Sequence, residues 1–214
     1  MKTVIKLENT NSSQLPKEFA NDDVRFTESL VKHFIEKYTS EEDVVFDPFA
    51  GFGTTLIVAE AMNRVACGVE IIPERVAYIK KQLKDPSAII QGDSRRLSEL
   101  DLPLFDLSIT SPPYMTKNDH AENPFDGCRT LSGNYESYLN EFVSIYSQIR
   151  KIMKSDAHIV IEAPSIKKDG IVTTLAWDIA AKLSNVLHFD GEIVVEWDNY
   201  GGGYNHSYCL VFSR

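Results

Sequence analysis

Apolar residues run along this chain in two rhythms. Short unbroken stretches, Val44-Val45-Phe46, Ala66–Ile71, Ala88-Ile89-Ile90, Phe105–Ile109 and His158–Glu162, end in turn or polar residues and predict buried strands. Between them the spacing becomes helical. Leu30, Val31, Phe34, Ile35 and Tyr38 fall on one face, with Thr27 placed to cap it. A helix continues from the glycine turn as far as about Met62. Pro73 suits the first turn of another, on which Val76, Ile79 and Leu83 share a face. Tyr138, Phe142, Ile145, Ile149 and Ile152 give a core stripe for a long helix from Tyr135 to Lys154, and residues 171–187 also read as helical. Ile193–Glu196 and Tyr208–Phe212 predict a closing pair of strands.

Strand and helix in alternation predict an α/β fold, a parallel sheet with helices on both faces. Residues 1–23 are polar and weakly patterned and read as a mobile or loosely docked lead-in; residues 24–214 then form one domain, with no repeat, low-complexity tract or linker to mark a second. The 214 residues suit one sizeable core, and 43% hydrophobic with 25% charged residues is ordinary for a globular protein. No apolar run is long enough to span a bilayer and no targeting core comes after Met1, so a cytoplasmic protein without a membrane partner is expected. Three cysteines and five histidines show neither a disulfide framework nor metal-ligand spacing, and no metal is expected. Cys67 and Cys209 read as small core residues. The net charge of −9 sets a constraint, because nucleic-acid binders usually carry a basic stripe. Here the cations are dispersed in pairs, Lys80-Lys81, Arg95-Arg96 and Lys167-Lys168.

The candidate chemistry lies at predicted strand ends. Asp47-Pro48-Phe49-Ala50-Gly51-Phe52-Gly53-Thr54-Thr55 comes directly after the first strand. Gly51 and Gly53 allow a tight turn and close approach of a ligand, and Thr54 and Thr55 can cap the next helix. Asp47 would repel a pyrophosphate and favours a cationic ligand such as S-adenosyl-L-methionine; the bland alternative is a tight strand–helix corner. Glu70 closes the second strand, placed for ribose hydroxyls, and Asp93 closes the third, placed for an adenine amine. Three acids at three strand ends describe one ligand lying across the sheet edge.

Ser111-Pro112-Pro113-Tyr114 closes the fourth strand. Two prolines cannot continue a ladder, so nearby carbonyls lose their partners and become acceptors for a ligand amine. The Ser111 side chain and such a carbonyl would polarise an exocyclic amine, and Tyr114 offers a flat face for stacking. Lys117, His120, Phe125 and Arg129 in residues 115–134 form a candidate substrate-contacting loop, with Lys117 and Arg129 as its cations; a solvated loop is the alternative. Tyr200-Gly201-Gly202-Gly203-Tyr204 reads as a pocket wall or a hairpin tip, and His206 as a cap on the last strand or, alternatively, a residue lining the site.

These residues resemble the S-adenosylmethionine-dependent DNA amino methyltransferases, which act on the exocyclic amine of cytosine or adenine. Asp47–Thr55 resembles the family's cofactor motif, Gly68-Val69-Glu70 its ribose motif, Gly92-Asp93 its adenine motif and Ser111–Tyr114 its catalytic tetrapeptide. Arg25-Phe26-Thr27 resembles the segment that closes over the methionine end, and Trp197 through His206 to Phe212 the final strand pair. The resemblance implies a Rossmann-like class I methyltransferase fold: a mostly parallel seven-stranded sheet with a C-terminal antiparallel strand pair. It implies cofactor contacts from Phe26, Thr27, Asp47, Pro48, Phe49, Ala50, Gly51, Gly53, Thr54, Thr55, Glu70 and Asp93, and catalysis at Ser111, Pro112, Pro113 and Tyr114. Serine at the first catalytic position is more typical of cytosine enzymes. DNA is the expected partner, with RNA open, and a protein partner could supply recognition. Phe52 departs from the small residue usual between the two glycines.

Overall fold

The computed structural model describes residues 3–11, 14–17, 19, 25–117, 124–126, 134–198 and 204–214. Its centre is an eight-stranded sheet. In chain order the strands are β1 (Val4–Leu7), β2 (Val44–Asp47), β3 (Val65–Glu70), β4 (Ile89–Gln91), β5 (Phe105–Thr110) and β6 (Met153–Ala163). A small hairpin, β7 (Ile166–Lys168) and β8 (Ile171–Thr173), precedes β9 (His188–Trp197) and β10 (His206–Ser213). Across the large sheet the order is β1-β9-β10-β6-β5-β2-β3-β4. All its neighbours pair in parallel except at β10, which is antiparallel to both β6 and β9.

Both faces of this sheet are covered, which is why its strands are continuously apolar rather than alternating. The helices α1 (Glu28–Tyr38), α2 (Thr54–Ala61) and α3 (Pro73–Lys80) share one core with Val45, Ile89, Leu107 and Val160. On the opposite face α4 (Tyr135–Ile149) and α5 (Leu175–Leu183) pack over Phe46, Phe105, Ile159 and Leu210. Thr27 caps α1 as its position predicts, with its hydroxyl oxygen accepting from the Leu30 amide at 3.4 Å. Cys67 and Cys209 are both buried core residues.

The structure departs from the sequence-based expectations in four places. Within the expected lead-in, two described parts are docked. Val4–Leu7 pairs with Val194–Trp197 and adds an eighth strand. Phe19 packs 5.3 Å from the Phe52 ring, and Tyr78 (6.2 Å) and the Arg75 guanidinium (4.7 Å) complete that cluster. The large residue between the two glycines is therefore an apolar anchor for the chain's beginning. The long helix stops at Ile149, succeeded by one 3₁₀ turn, and Met153 already belongs to β6. Pairing of Phe105 with Met153 draws the chain into the sheet, with an irregularity before Leu107 meets His158. The segment from 171 begins as strand β8, because Asp169 (φ 52°) and Gly170 (φ 79°) make a two-residue hairpin turn. The fourth is α2, whose cap is Gly53 rather than either threonine.

Phe52 is almost fully buried. Phe52→Ala is expected to lower unfolding free energy by about 3–5 kcal/mol in urea titration; a change within about 0.5 kcal/mol would show that the cluster contributes nothing.

Candidate active site

Chain order builds outward from β2 through β3 to β4, then jumps back so that β5 lies on the other side of β2. The carboxyl ends of β2 and β5 therefore flank a topological switch point, where open α/β sheets bind ligands. The two corners singled out in the sequence are the continuations of these two strands. Their closeness is measured by Thr55, whose hydroxyl donates to Asp47 Oδ2 at 2.7 Å and lies 3.4 Å from the Ile109 carbonyl on β5.

The first corner is braced from within. Asp47 is 1% exposed, and its Oδ1 accepts from the Phe49 amide at 2.9 Å. Glu70, at the end of β3, accepts from the Gly51 amide at 2.8 Å on one oxygen and from the Ile72 amide at 2.8 Å on the other. The Ala50 amide donates to the Val69 carbonyl at 2.9 Å, and the buried Ser94 hydroxyl donates to the Pro48 carbonyl. Gly51 (φ 57°) and Gly53 (φ 82°) take the left-handed conformation that this turn requires. A side chain on Gly53 would meet Ile79 at 3.0 Å, whereas at Gly51 the nearest atom is the Phe49 carbonyl at 3.9 Å. At Gly51, whose amide Glu70 holds, no atom of the described residues beyond the two chain neighbours, other than that carbonyl, lies within 4 Å of where a Cβ would stand.

Burial pushes the Asp47 carboxyl up to about 6; the Thr55 and Phe49 hydrogen bonds oppose this and the Glu70 charge adds to it. Glu70 is also raised, again chiefly by burial, against the pull of its amide donors and Arg75. Two carboxylates held short of water favour a ligand that brings positive charge and hydroxyl donors.

The second corner holds a group that the sequence motifs do not include. Ser111 Oγ lies 2.6 Å from Tyr114 Oη and 3.0 Å from Glu162 Oε2. Tyr114 Oη also contacts Glu162 Oε2 and donates to the Glu162 carbonyl at 3.1 Å. Glu162 is 4% exposed on β6, beside Cys209 of β10. The signal was present: Val-Val-Phe-Asp47, Gly-Val-Glu70 and Ile-Val-Ile-Glu162 are each an apolar run closed by an acid. Of the proline-corner carbonyls, that of Pro113 is not open to a ligand, because the buried Tyr138 hydroxyl donates to it at 2.9 Å. The Pro112 carbonyl has no hydrogen-bond partner among the described residues.

Other expected contacts fall differently. Asp93 caps the turn after β4 through the Arg95 amide (2.9 Å) and grips the Arg95 guanidinium at 3.0 and 2.7 Å, so its carboxylate is already engaged. Thr54 and Thr55 lie in the first turn of α2, and Thr55 braces Asp47 instead of capping. Phe26 is half-buried beside the capping Thr27. Phe125 is buried against Phe49 (5.6 Å), Tyr138 (5.2 Å) and Phe142 (5.4 Å), so it is part of the core rather than a substrate surface. Lys117 Nζ pairs with Asp178 at 3.4 Å and sits 5.6 Å over the Tyr135 ring. His206 opens β10, 3.2 Å from the Tyr208 hydroxyl. Arg129, His120 and Tyr200–Gly203 lie outside the described residues. Among the described residues no helix is long and apolar enough to cross a membrane.

Residues 4–81 match the DNA methylase family model. Over that stretch, about a third of its length, the chain is similar to the DNA methylase family. The match runs from β1 through α3 and includes Asp47–Thr55 and Glu70, whereas Ser111–Tyr114 lies beyond it. Among curated relatives, the orphan methyltransferase M.BamHII of Bacillus amyloliquefaciens is 40% identical over 60 residues, 28% of this chain and 23% of the relative. The type II methyltransferase M.HindIII of Haemophilus influenzae is 50% identical over 42 residues, 20% of this chain and 14% of the relative. The aligned stretches thus span less than a quarter of those two methyltransferases. The fold is that of class I methyltransferases. TrmN from Thermus thermophilus superposes with a TM-score of 0.65 at 15% identity, covering 92% of this chain and 52% of TrmN. A TehB-like S-adenosylmethionine-dependent methyltransferase from Corynebacterium glutamicum gives 0.60 at 14% identity, covering 92% and 93%. The cofactor that accompanies this family and fold is S-adenosylmethionine. The open space at Gly51 and the paired buried carboxylates of Asp47 and Glu70 fit it.

Asp47 also leaves a mark on stability. Its carboxyl is raised when folded, so its contribution is fullest below the unfolded value near 4 and is lost as pH rises through about 6. Raising pH from 4 to 7 should therefore erode wild-type stability relative to Asp47→Asn by about 2 kcal/mol, read from paired urea titrations. A difference that stays constant with pH would contradict the assignment.

Proposed function

We propose that this chain transfers a methyl group from S-adenosylmethionine to the exocyclic amino group of a nucleobase, cytosine N4 in DNA. The observation that carries this reading is the adjacency of β2 and β5, from whose ends the two corners leave, with Thr55 linking Asp47 to Ile109 near the end of β5. When bound, the cofactor would supply an electrophilic methyl on a sulfonium centre and be left as the neutral thioether, while the methylated nitrogen, made acidic by the transfer, gives up one proton to water. Asp47, Glu70 and the Gly51 turn hold and orient it. Ser111 Oγ and the Pro112 carbonyl offer two acceptors to the two N–H groups of the amine. An exocyclic amine is a poor nucleophile because its lone pair is delocalised into the ring. Paired acceptors draw the nitrogen toward a tetrahedral form with a directed lone pair, and a fixed pair of corners supplies alignment. Tyr114, held through its hydroxyl, presents its ring to the planar base.

Serine at position 111 supports cytosine over adenine. Among the described residues no element is evident for direct reading of the major groove. Recognition is assigned to a compact loop, a partner chain or a single-stranded substrate, the last avoiding the few kcal/mol needed to flip a base from a duplex.

Incubation with tritiated cofactor and separate pools of DNA, RNA and protein tests this. The expected label is in DNA, as N4-methylcytosine on nucleoside analysis. Label in RNA or on adenine would reassign the target, and cofactor binding with no label in any pool would overturn transfer. Ser111→Ala should lower kcat about 10- to 100-fold with cofactor Kd within about twofold, because it removes a contact made in the transition state. Glu70→Ala should instead weaken cofactor binding about tenfold or more by calorimetry, since the Gly51 and Ile72 amides lose their acceptor.

A further inference from the structure

Ser111 Oγ, Tyr114 Oη and Glu162 Oε2 form a triangle of three oxygens at the second corner, with Glu162 nearly without solvent on a strand flanked by β5 and β10. Two of these groups carry one proton each, and an ionised carboxylate carries none. How the two protons are distributed decides whether Ser111 can act on an amine. If Tyr114 donates to Ser111, one serine lone pair is taken. If both hydroxyls orient toward the carboxylate, or Tyr114 donates to it and Ser111 to Tyr114, both serine lone pairs remain available. With Glu162 ionised, the carboxylate wins this competition, because hydrogen bonds to charged groups are roughly twice as strong as neutral ones.

We infer that Glu162 is a positioning residue that draws the Ser111 and Tyr114 hydroxyl protons inward and so turns Ser111 Oγ into an obligate acceptor for the substrate amine. This rests on the methyl-transfer reading above and assigns a role to a residue that the sequence motifs leave out. It also prevents the opposite arrangement, in which the serine hydroxyl would donate to the amine lone pair and block its attack. The backbone enforces the triangle. Thr110 is in register with Ile161, so the residue leaving β5 faces the acid one step further along β6. The Glu162 carbonyl holds the same tyrosine hydroxyl at 3.1 Å.

Glu162→Gln keeps the size of the side chain but replaces one acceptor oxygen with an NH₂ donor, which reverses the polarity of one edge of the triangle. On the substrate that wild type labels, kcat is expected to fall about 10- to 100-fold, with KM and cofactor Kd within about twofold. A parallel readout needs no turnover: 3-fluorotyrosine placed at position 114 should show a displaced ¹⁹F resonance in Glu162→Gln relative to the same label in the otherwise wild-type chain. Unchanged kcat, or an unmoved resonance, overturns the inference. So does a loss that appears equally in KM, cofactor Kd and thermal stability, which would mark Glu162 as structural only. If wild type labels no pool, the function reading fails, while the fluorine resonance still decides the polarity of the triangle. Should Glu162→Gln fail to fold, Tyr114→Phe serves. It leaves Ser111 donating to Glu162, so its kcat loss should be smaller than that of Ser111→Ala; an equal or larger loss would overturn the inference.

Discussion

Between β2 and β5 the chain reverses the direction in which it adds strands, and no helix can cross over the crevice that the reversal leaves. Every feature of the site is a response to that crevice. The loop from β2 and the loop from β5 leave in neighbouring positions, and neither can be satisfied by further sheet pairing. Backbone amides at the first corner are therefore taken up by carboxylates, Phe49 by Asp47 and Gly51 by Glu70. At the second corner the prolines remove donors outright, and the Pro113 carbonyl is taken up by Tyr138. Polar groups left over at such a place are what a ligand meets.

Burial gives these carboxylates their character. Asp47 and Glu70 end their strands and Glu162 lies one residue from the end of its own, and each would be costly there without donors around it. The donors differ, and so do the consequences. Asp47 and Glu70 take amides and a threonine hydroxyl, which stiffens a loop. Glu162 takes the hydroxyls of a serine and a tyrosine, which sets the direction of their hydrogen bonds. The same residue type in the same kind of position serves as a scaffold brace at one corner and as a chemical orienter at the other.

Much of this was readable in the residues, for reasons that can be named. Unbroken apolar runs and helical stripes report burial directly, so the parallel sheet, α1, α3 and the closing strands were legible. Strand ends are marked by the glycines, prolines and acids that break the apolar run, so Asp47–Thr55 and Ser111–Tyr114 stood out. Side-chain partnerships across the sheet were not legible. Nothing local says that Glu162 faces Ser111, since the two are brought together only by the register of β5 with β6. Asp93 could be located but not its engagement by Arg95, and Phe125 sat in a polar stretch that gave no sign of the aromatic core receiving it. The Asp169-Gly170 hairpin was a local signal, obscured by the helical residues just after it. Val4–Leu7 gains its strand identity only from the exposed edge of β9.

The lone antiparallel strand carries a practical corollary. β10 begins beside the end of β9, where the Trp197 amide donates to the Asn205 carbonyl at 2.9 Å, and it finishes alongside His158 and His188. Arg214 then donates to the Met153 carbonyl at 3.2 Å, where β6 starts. The polypeptide accordingly leaves the sheet on the rim opposite the crevice. A fluorophore or surface tether placed at position 214 would face away from an approaching base, leaving the mouth of the site unobstructed for immobilised assays.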